Sequence, residues 1–244
     1  MIFSTKIRWI TAISALLFPA PLFAQNVDTG SDQAQSQIKD REAEESGDQI
    51  VVYGRAIEQI GVALTGSQGT VGYADFTDVP ISRTGELVEN VPGVVATQHS
   101  GSGKANQYYL RGFNLDHGTD FAGIADGVPI NMRSHGHGQG YLDFNFLIPE
   151  TLERIDYRKG PYFVDVGDFS AAGTVSFKTR NAIEPFVKVE AGAFDFLRAV
   201  AAGSVALGTG DLLTAIEAQR YDGPWDLPED LQRVSGLVKY SQGG

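Results

Sequence analysis

The chain has no cysteine, which excludes a disulfide framework, a thiolate nucleophile and a thiolate metal site. It is short of positive charge, with 19 Lys and Arg against 30 Asp and Glu, a net charge of −11. That balance excludes nucleic-acid binding through a basic face. Long apolar runs are missing too. The most apolar stretch, Trp9 to Phe18, is well short of the ~20 residues a spanning helix needs. It follows Lys6 and Arg8 and precedes Ala24, the pattern of a secretory signal peptide over residues 1–24, although Leu22 is a less usual residue than Ala before the cut. Lys6 and Arg8 are the only charged residues of that segment, so its removal takes the net charge from −11 to −13. Catalytic signatures are absent as well. There is no Gly-x-Ser-x-Gly elbow and no His-Glu-x-x-His helix, and Ser134 beside His135 is an adjacency rather than a triad. The reading is of a non-enzyme with no cofactor.

What is present divides into stretches of different composition. Residues 25–47 are polar almost throughout and read as a flexible linker. At "DQIVVYG", residues 48–54, β-prone Ile50, Val51, Val52 and Tyr53 appear abruptly. They suit either a first domain strand or an extended peptide offered to a partner's sheet edge. Residues 55–180 read as one small mixed domain. Its expected elements are a short helix near Thr84–Glu89 ended by Pro92 and Gly93, and strands at "VVATQH", "QYYLRG" and "DFAGIADG". A helical turn at Pro149–Glu150, a strand near Ile155–Arg158 and a closing strand at "AAGTVSFKTR" follow.

From residue 185 the spacing changes to segments of roughly ten residues, the length of transmembrane β-strands. Val187, Val189, Ala191 and Ala193 fall on one face, and Lys188, Glu190 and Gly192 on the other. Further on, Leu212, Thr214, Ile216 and Ala218 oppose Glu217 and Gln219. Lipid-out, water-in packing fits this alternation, and so does a soluble β-sandwich. Four such strands fall short of the roughly eight that close a barrel, so on the barrel reading residues 185–244 are an incomplete piece of one.

The chain's four histidines are His99, His117, His135 and His137. The last two stand in "MRSHGHGQGY", flexible enough for both rings to reach one ion. Imidazole suits zinc, copper and nickel, but two histidines are an incomplete site that Asp116, Asp143 or residues outside the chain would complete. The alternatives are hydrogen bonding to an organic solute and a purely structural loop.

The order of motifs resembles the start of a TonB-dependent outer-membrane receptor. "DQIVVYG" is similar to a TonB box (Asp48, Gln49, Ile50, Val51, Val52, Tyr53, Gly54). "LVENVPGVVATQHSG", "YYLRGF", "IADGVPIN", "IPETLERIDYRKGP" and "VGDFSAAGTVSFKT" are similar to successive segments of the family's plug. Lys159 before Gly-Pro and "AAGT" depart from the usual pattern, and the histidine loop is not a general family feature.

The resemblance implies an α+β plug domain, a small mixed sheet with short helices, followed by the first strands of a transmembrane antiparallel β-barrel, incomplete in this chain. It implies a monomer in the Gram-negative outer membrane that imports a scarce solute (siderophore, metal complex or other small molecule) with energy from TonB and its ExbB–ExbD motor. The short linker points to uptake without surface signalling. Substrate-facing plug loops would carry His99, Ser100, Ser102, Lys104, Arg133, Ser134, His135, His137, Gln139 and Tyr141, with His135 and His137 the candidate metal pair. His117 would lie on the opposite, periplasmic-side turn. Glu153, Arg154 and Arg158 stand where the family locks plug to barrel wall, or they are solvated plug-surface charges. The alternatives are a soluble periplasmic binding module or a truncated product without function.

Overall fold

A computed structural model describes residues 62–242, except Pro80, Ser82 and His137. The signal peptide, linker and TonB-box stretch, and His137, lie outside the described residues. No helix among the described residues is long and apolar enough to cross a membrane, which leaves open crossing by strands.

A six-stranded sheet carries the first part of the chain. In chain order its strands are β1 (Val62–Thr65), β2 (Gln68–Gly72), β6 (Phe121–Ala125), β7 (Val128–Pro129), β10 (Leu152–Lys159) and β11 (Gly173–Thr179), arranged β1-β2-β10-β11-β6-β7. All neighbours are antiparallel except β11 and β6. Period-2 patterning explains β10 and β11. Ile155 and Tyr157 face inward against Val175 and Phe177, while Asp156 and Arg158 face out. The expected helix near Thr84 is a 3-10 helix over Thr84–Asn90. Glu86 caps it by accepting the Arg83 N–H at 3.1 Å. A short helix α1 (Tyr73–Phe76), capped by Asp75 on the Gly72 N–H at 2.8 Å, was not expected, nor was the β1–β2 hairpin. The core gathers Leu87, Tyr108, Leu115, Phe121, Leu142, Phe144, Leu152, Ile155, Val175 and Phe177, all essentially without solvent contact.

Two smaller sheets sit beside the large one. In chain order they use β3 (Val94–Thr97), β4 (Gln107–Leu110), β5 (Phe113–Asn114), β8 (Met132–Ser134) and β9 (Gln139–Tyr141), arranged β3-β4-β5 and β8-β9. Arg111 and Gly112, with φ of 53° and 81°, make a two-residue turn between β4 and β5. This turn reverses the chain before it reaches His117. β5 therefore carries residues 115–117 back to the end of β4 where the 98–106 loop begins and ends.

β12 (Phe186–Ala191), β13 (Leu197–Leu207), β14 (Gly210–Tyr221) and β15 (Leu231–Gln242) form an antiparallel meander. It does not close, since β12 and β15 are its edges. Ala193, expected on the β12 face, falls beyond the strand in the loop where Phe194 and Asp195 have positive φ. The alternation otherwise holds. Val187, Val189, Val205, Ile216, Val234 and Val238 are bare on one face. Val200, Ala202, Leu213, Ala215 and Glu217 are buried on the other, where Ile148 of the first part packs against the strands.

Candidate functional site

Three histidines, Asp116 and Tyr141 converge at the edge of the small β3-β4-β5 sheet. His99 Nδ1 lies 2.9 Å from His117 Nε2. The His135 ring stands 6.0 Å from the His117 ring and 5.0 Å from Tyr141, centroid to centroid. Tyr141 is tied in place, its hydroxyl accepting the Ala105 N–H at 3.0 Å. His117 is wholly buried. Its Nδ1 lies 3.1 Å from the Ala105 carbonyl and 3.2 Å from that of Asn106. Carbonyls only accept, so Nδ1 carries the proton and Nε2 presents a lone pair toward His99. Burial pushes the His117 pKa down, against the opposing Asn106 carbonyl and Asp116 carboxylate, and holds the ring neutral at physiological pH.

The turn that presents His117 is strongly constrained. Asp116, at φ 49°, donates its N–H to Asn114 Oδ1 at 2.8 Å, while its carbonyl accepts the Tyr108 N–H at 2.8 Å. Gly118, at φ 109°, has no room for a side chain, because a Cβ there would lie 2.3 Å from Leu142 Cβ. Loop 222–230 covers the neighbouring side. Glu229 accepts the Ser102 N–H at 2.7 Å and the Trp225 indole N–H at 2.9 Å, and reaches Gln98 at 3.4 Å. Burial opposes ionisation of Glu229, but these donors prevail and its pKa is lowered. A cavity of about 350 Å³ lies between Gln98, His99, Ser100, Gly101, Trp225 and Glu229.

Charge pairs join the mixed domain to the meander. Arg198 on β13 donates to Glu150 through both terminal nitrogens at 2.7 Å, to Glu190 at 2.7 Å, and to Glu217 at 2.5 and 2.8 Å. Glu217, wholly buried, also accepts from Arg233 at 2.7 Å, and Arg233 reaches Thr84 at 3.3 Å. Near the other end of β15, Lys239 donates to the Thr179 carbonyl at 2.9 Å and lies 3.6 Å from Asp126. The pKa of Asp126 is lowered, as hydrogen bonds from Thr179 outweigh its burial. Burial works against the charged form of Glu150, but the Arg198 and Lys188 donors hold its pKa at about 2. A carboxylate so depressed stabilises the fold fully above its ordinary pKa of 4.5 and loses that contribution as pH falls toward 2. Between those two values, the Glu150→Gln chain should lose less stability on acidification than the native chain, as read by urea titration at each pH. Equal slopes would contradict the assignment.

The model of the TonB-dependent receptor plug domain matches residues 62–174. These residues are a TonB-dependent receptor plug domain. The vitamin B12 transporter BtuB of Vibrio vulnificus is 24% identical over 138 residues, 57% of this chain and 22% of that protein. The hemin receptor of Yersinia enterocolitica is 24% identical over 219 residues, 85% of this chain and 28% of that protein. The chain thus spans about a quarter of the length of these curated relatives. Two solved structures share the fold. The pyoverdine outer membrane receptor FpvA of Pseudomonas aeruginosa has a TM-score of 0.55 at 20% identity, covering 70% of this chain and 24% of that one. The copper transporter OprC has a TM-score of 0.55 at 16% identity, covering 76% and 30%.

Within the plug, the structure redistributes the expected residues. His117 does not sit on an opposite turn. The Arg111–Gly112 hairpin returns it to His99, and the two rings touch. The histidines in contact are therefore His99 and His117, whereas His137 of the expected pair is outside the described residues. The His135 main-chain N–H donates to the Gly138 carbonyl at 2.9 Å, at the ends of β8 and β9. Arg133 and Gln139 line a different cavity, of about 460 Å³, with Asp168 and Phe169. Ser134 is exposed on β8, and Lys104 lies within the 98–106 loop, its carbonyl accepting from the Asn145 side-chain amide at 3.4 Å.

The expected lock residues have partners within the plug among the described residues. Arg154 pairs with Glu153 and Asp156, and Arg158 with Asp165, all inside the plug. Contacts to the strands run instead through Glu150, Asp126, Thr179 and Thr84. Of these, Glu150 stands within the quoted "IPETLERIDYRKGP" stretch, but nothing in its local spacing marks it as a strand partner.

Proposed function

We propose that this chain is the plug and the first wall strands of an outer-membrane receptor, which binds a scarce small solute outside the cell and imports it with energy delivered through TonB. The observation that carries the reading is the two-faced meander. Its inner face is joined to the plug by charged side chains, and its outer face is a bare apolar surface. Such a surface suits lipid and argues against a soluble binding module. Short turns on the periplasmic side and long loops outside are the rule for such barrels. The Gly208–Thr209 turn then faces the periplasm, and loop 222–230 faces the medium beside His99, Ser100 and Ser102. His135 and Tyr141 belong to the same face, on the solute's path.

The relatives named for vitamin B12, hemin and pyoverdine support import as the activity and argue against catalysis. The proposed domain order is signal peptide 1–24, linker 25–47, TonB box 48–54, plug 55–180 and barrel strands from 185. In this scheme solute binding frees residues 48–54, which add as an extended strand to an edge of TonB through main-chain hydrogen bonds. The inner-membrane motor ExbB–ExbD then pulls on the plug. Outer-membrane residence and a single-chain receptor follow from the same reading.

Proline at position 51 removes a main-chain donor from that ladder and is tolerated poorly inside paired strands. Val51→Pro should weaken binding of the full chain to the periplasmic domain of TonB by roughly tenfold or more, the equivalent of about one lost hydrogen bond. Calorimetric titration in detergent reads this directly. Unchanged affinity in Val51→Pro and in a chain lacking residues 48–54 would refute the coupling.

A further inference from the structure

We propose that His99, Asp116 and His117 form a binding site for one divalent transition-metal ion of the zinc, copper or nickel class. One ligand atom from each lies within 4.8 Å of the others. His99 Nδ1 and His117 Nε2 are 2.9 Å apart, and His117 Nε2 and Asp116 Oδ1 are 3.8 Å apart. Donors about 2.0–2.2 Å from a tetrahedral ion stand about 3.3 Å from one another, so the two separations to His117 bracket that value, and the His99–Asp116 pair lies within 4.8 Å. Small side-chain movements close the difference.

The surroundings of His117 are those of a metal ligand. Its far nitrogen donates to the Ala105 and Asn106 carbonyls, which fixes the ring and the tautomer. Metal-bound imidazoles are ordinarily held by such an outer bond. The near nitrogen keeps its lone pair, so no proton must be removed from His117 on binding. His99 Nδ1, 2.9 Å from that lone pair, donates its proton to it in the metal-free chain, and this proton moves to Nε2 of His99 when the ion takes its place. Asp116 supplies the negative charge from a turn whose main chain is bonded on both sides. The exposed side of His99 opens on the cavity beneath Trp225 and Glu229, which provides a route from solvent. Two imidazoles and one carboxylate leave a fourth position for water or for a donor of an arriving chelate. Imidazole nitrogens favour zinc, copper and nickel over calcium and magnesium, which take oxygen ligands.

Whether this ion is cargo rests on the uptake reading; its binding does not. The test therefore uses metal alone, without transport. The full chain in detergent, stripped with EDTA and kept in calcium to occupy carboxylate-only sites, is titrated with Zn²⁺, Ni²⁺ and Cu²⁺. One equivalent should bind, and His99→Ala should weaken it at least tenfold, with Asp116→Asn also weaker. Both variants alter side chains that are not in the core, and Asn tolerates the positive φ of position 116. Electron paramagnetic resonance of the Cu²⁺ form should show coupling to two imidazole nitrogens, reduced to one in His99→Ala. No bound equivalent, or binding unchanged in both variants and traced instead to His135 and His137, would overturn the site. Failure here with TonB binding intact removes the site alone. Loss of TonB binding with the metal titration intact removes the uptake reading alone.

Discussion

Replacing Arg198 by methionine is expected to cost about 3–5 kcal/mol of stability, the usual penalty for removing one partner of a buried charge pair. Arg198 is 9% exposed and is the shared cation of three carboxylates, Glu150, Glu190 and Glu217. Methionine fills comparable space and leaves Glu217 to Arg233 alone, with Glu150 keeping only Lys188. The loss comes mostly from carboxylates stranded away from water, and not from the attraction that the pair supplied. Adding Glu150→Gln to Arg198→Met should therefore recover part of the loss, although the double chain has one contact fewer. Urea unfolding of the three chains decides it. A loss under about 1 kcal/mol, the range of solvated surface pairs, would mean that the seam between plug and strands is not held by this residue.

The second large effect is expected one residue away from Glu217 in sequence and on the other side of the sheet. Ile216 lies near the middle of β14, is paired on both edges with Ala201 and Gly236, and is 56% exposed. In water, arginine at such a site would cost almost nothing. In a bilayer, Ile216→Arg should cost about 2–4 kcal/mol, the penalty for a cation near the midplane of a barrel's outer face. Reversible folding of the full-length receptor into lipid vesicles measures the difference. A neutral result would place Ile216 in water.

The parts legible in the sequence were those in which burial alternates with position. Ile155, Tyr157, Val175 and Phe177 mark β10 and β11 because one face of each is fully buried. β13 to β15 are marked by the same alternation, in which less exposed residues alternate with more exposed ones along most of each strand, although on β15 only Ser235 is buried. β1 was missed because every residue from Val62 to Thr65 is exposed, so no burial pattern disciplines its sequence. α1 has four residues, too few to show a 3.6-residue period.

The site was legible in its residue types and not in its partnerships. The "RG" at 111–112 was read as the end of a strand. It is a two-residue hairpin turn, and that difference moves His117 from exclusion to contact with His99. Glu150 and Arg198 are 48 residues apart. No local spacing marks such a pair, and the family pattern drew attention to Glu153, Arg154 and Arg158. Their pairing inside the plug is visible only once β10 and its neighbours are placed.

The account stands or falls on β14 being a wall strand with lipid on one side and plug on the other. Because the chain has no cysteine, single cysteines can be introduced along this strand and spin-labelled in the membrane-embedded receptor. The account predicts high oxygen accessibility and low access to a water-soluble relaxant at 212, 214, 216 and 218. At 213, 215 and 217, packed against the interior, it predicts low access to both. Free access of the water-soluble relaxant to 214 and 216 would contradict it.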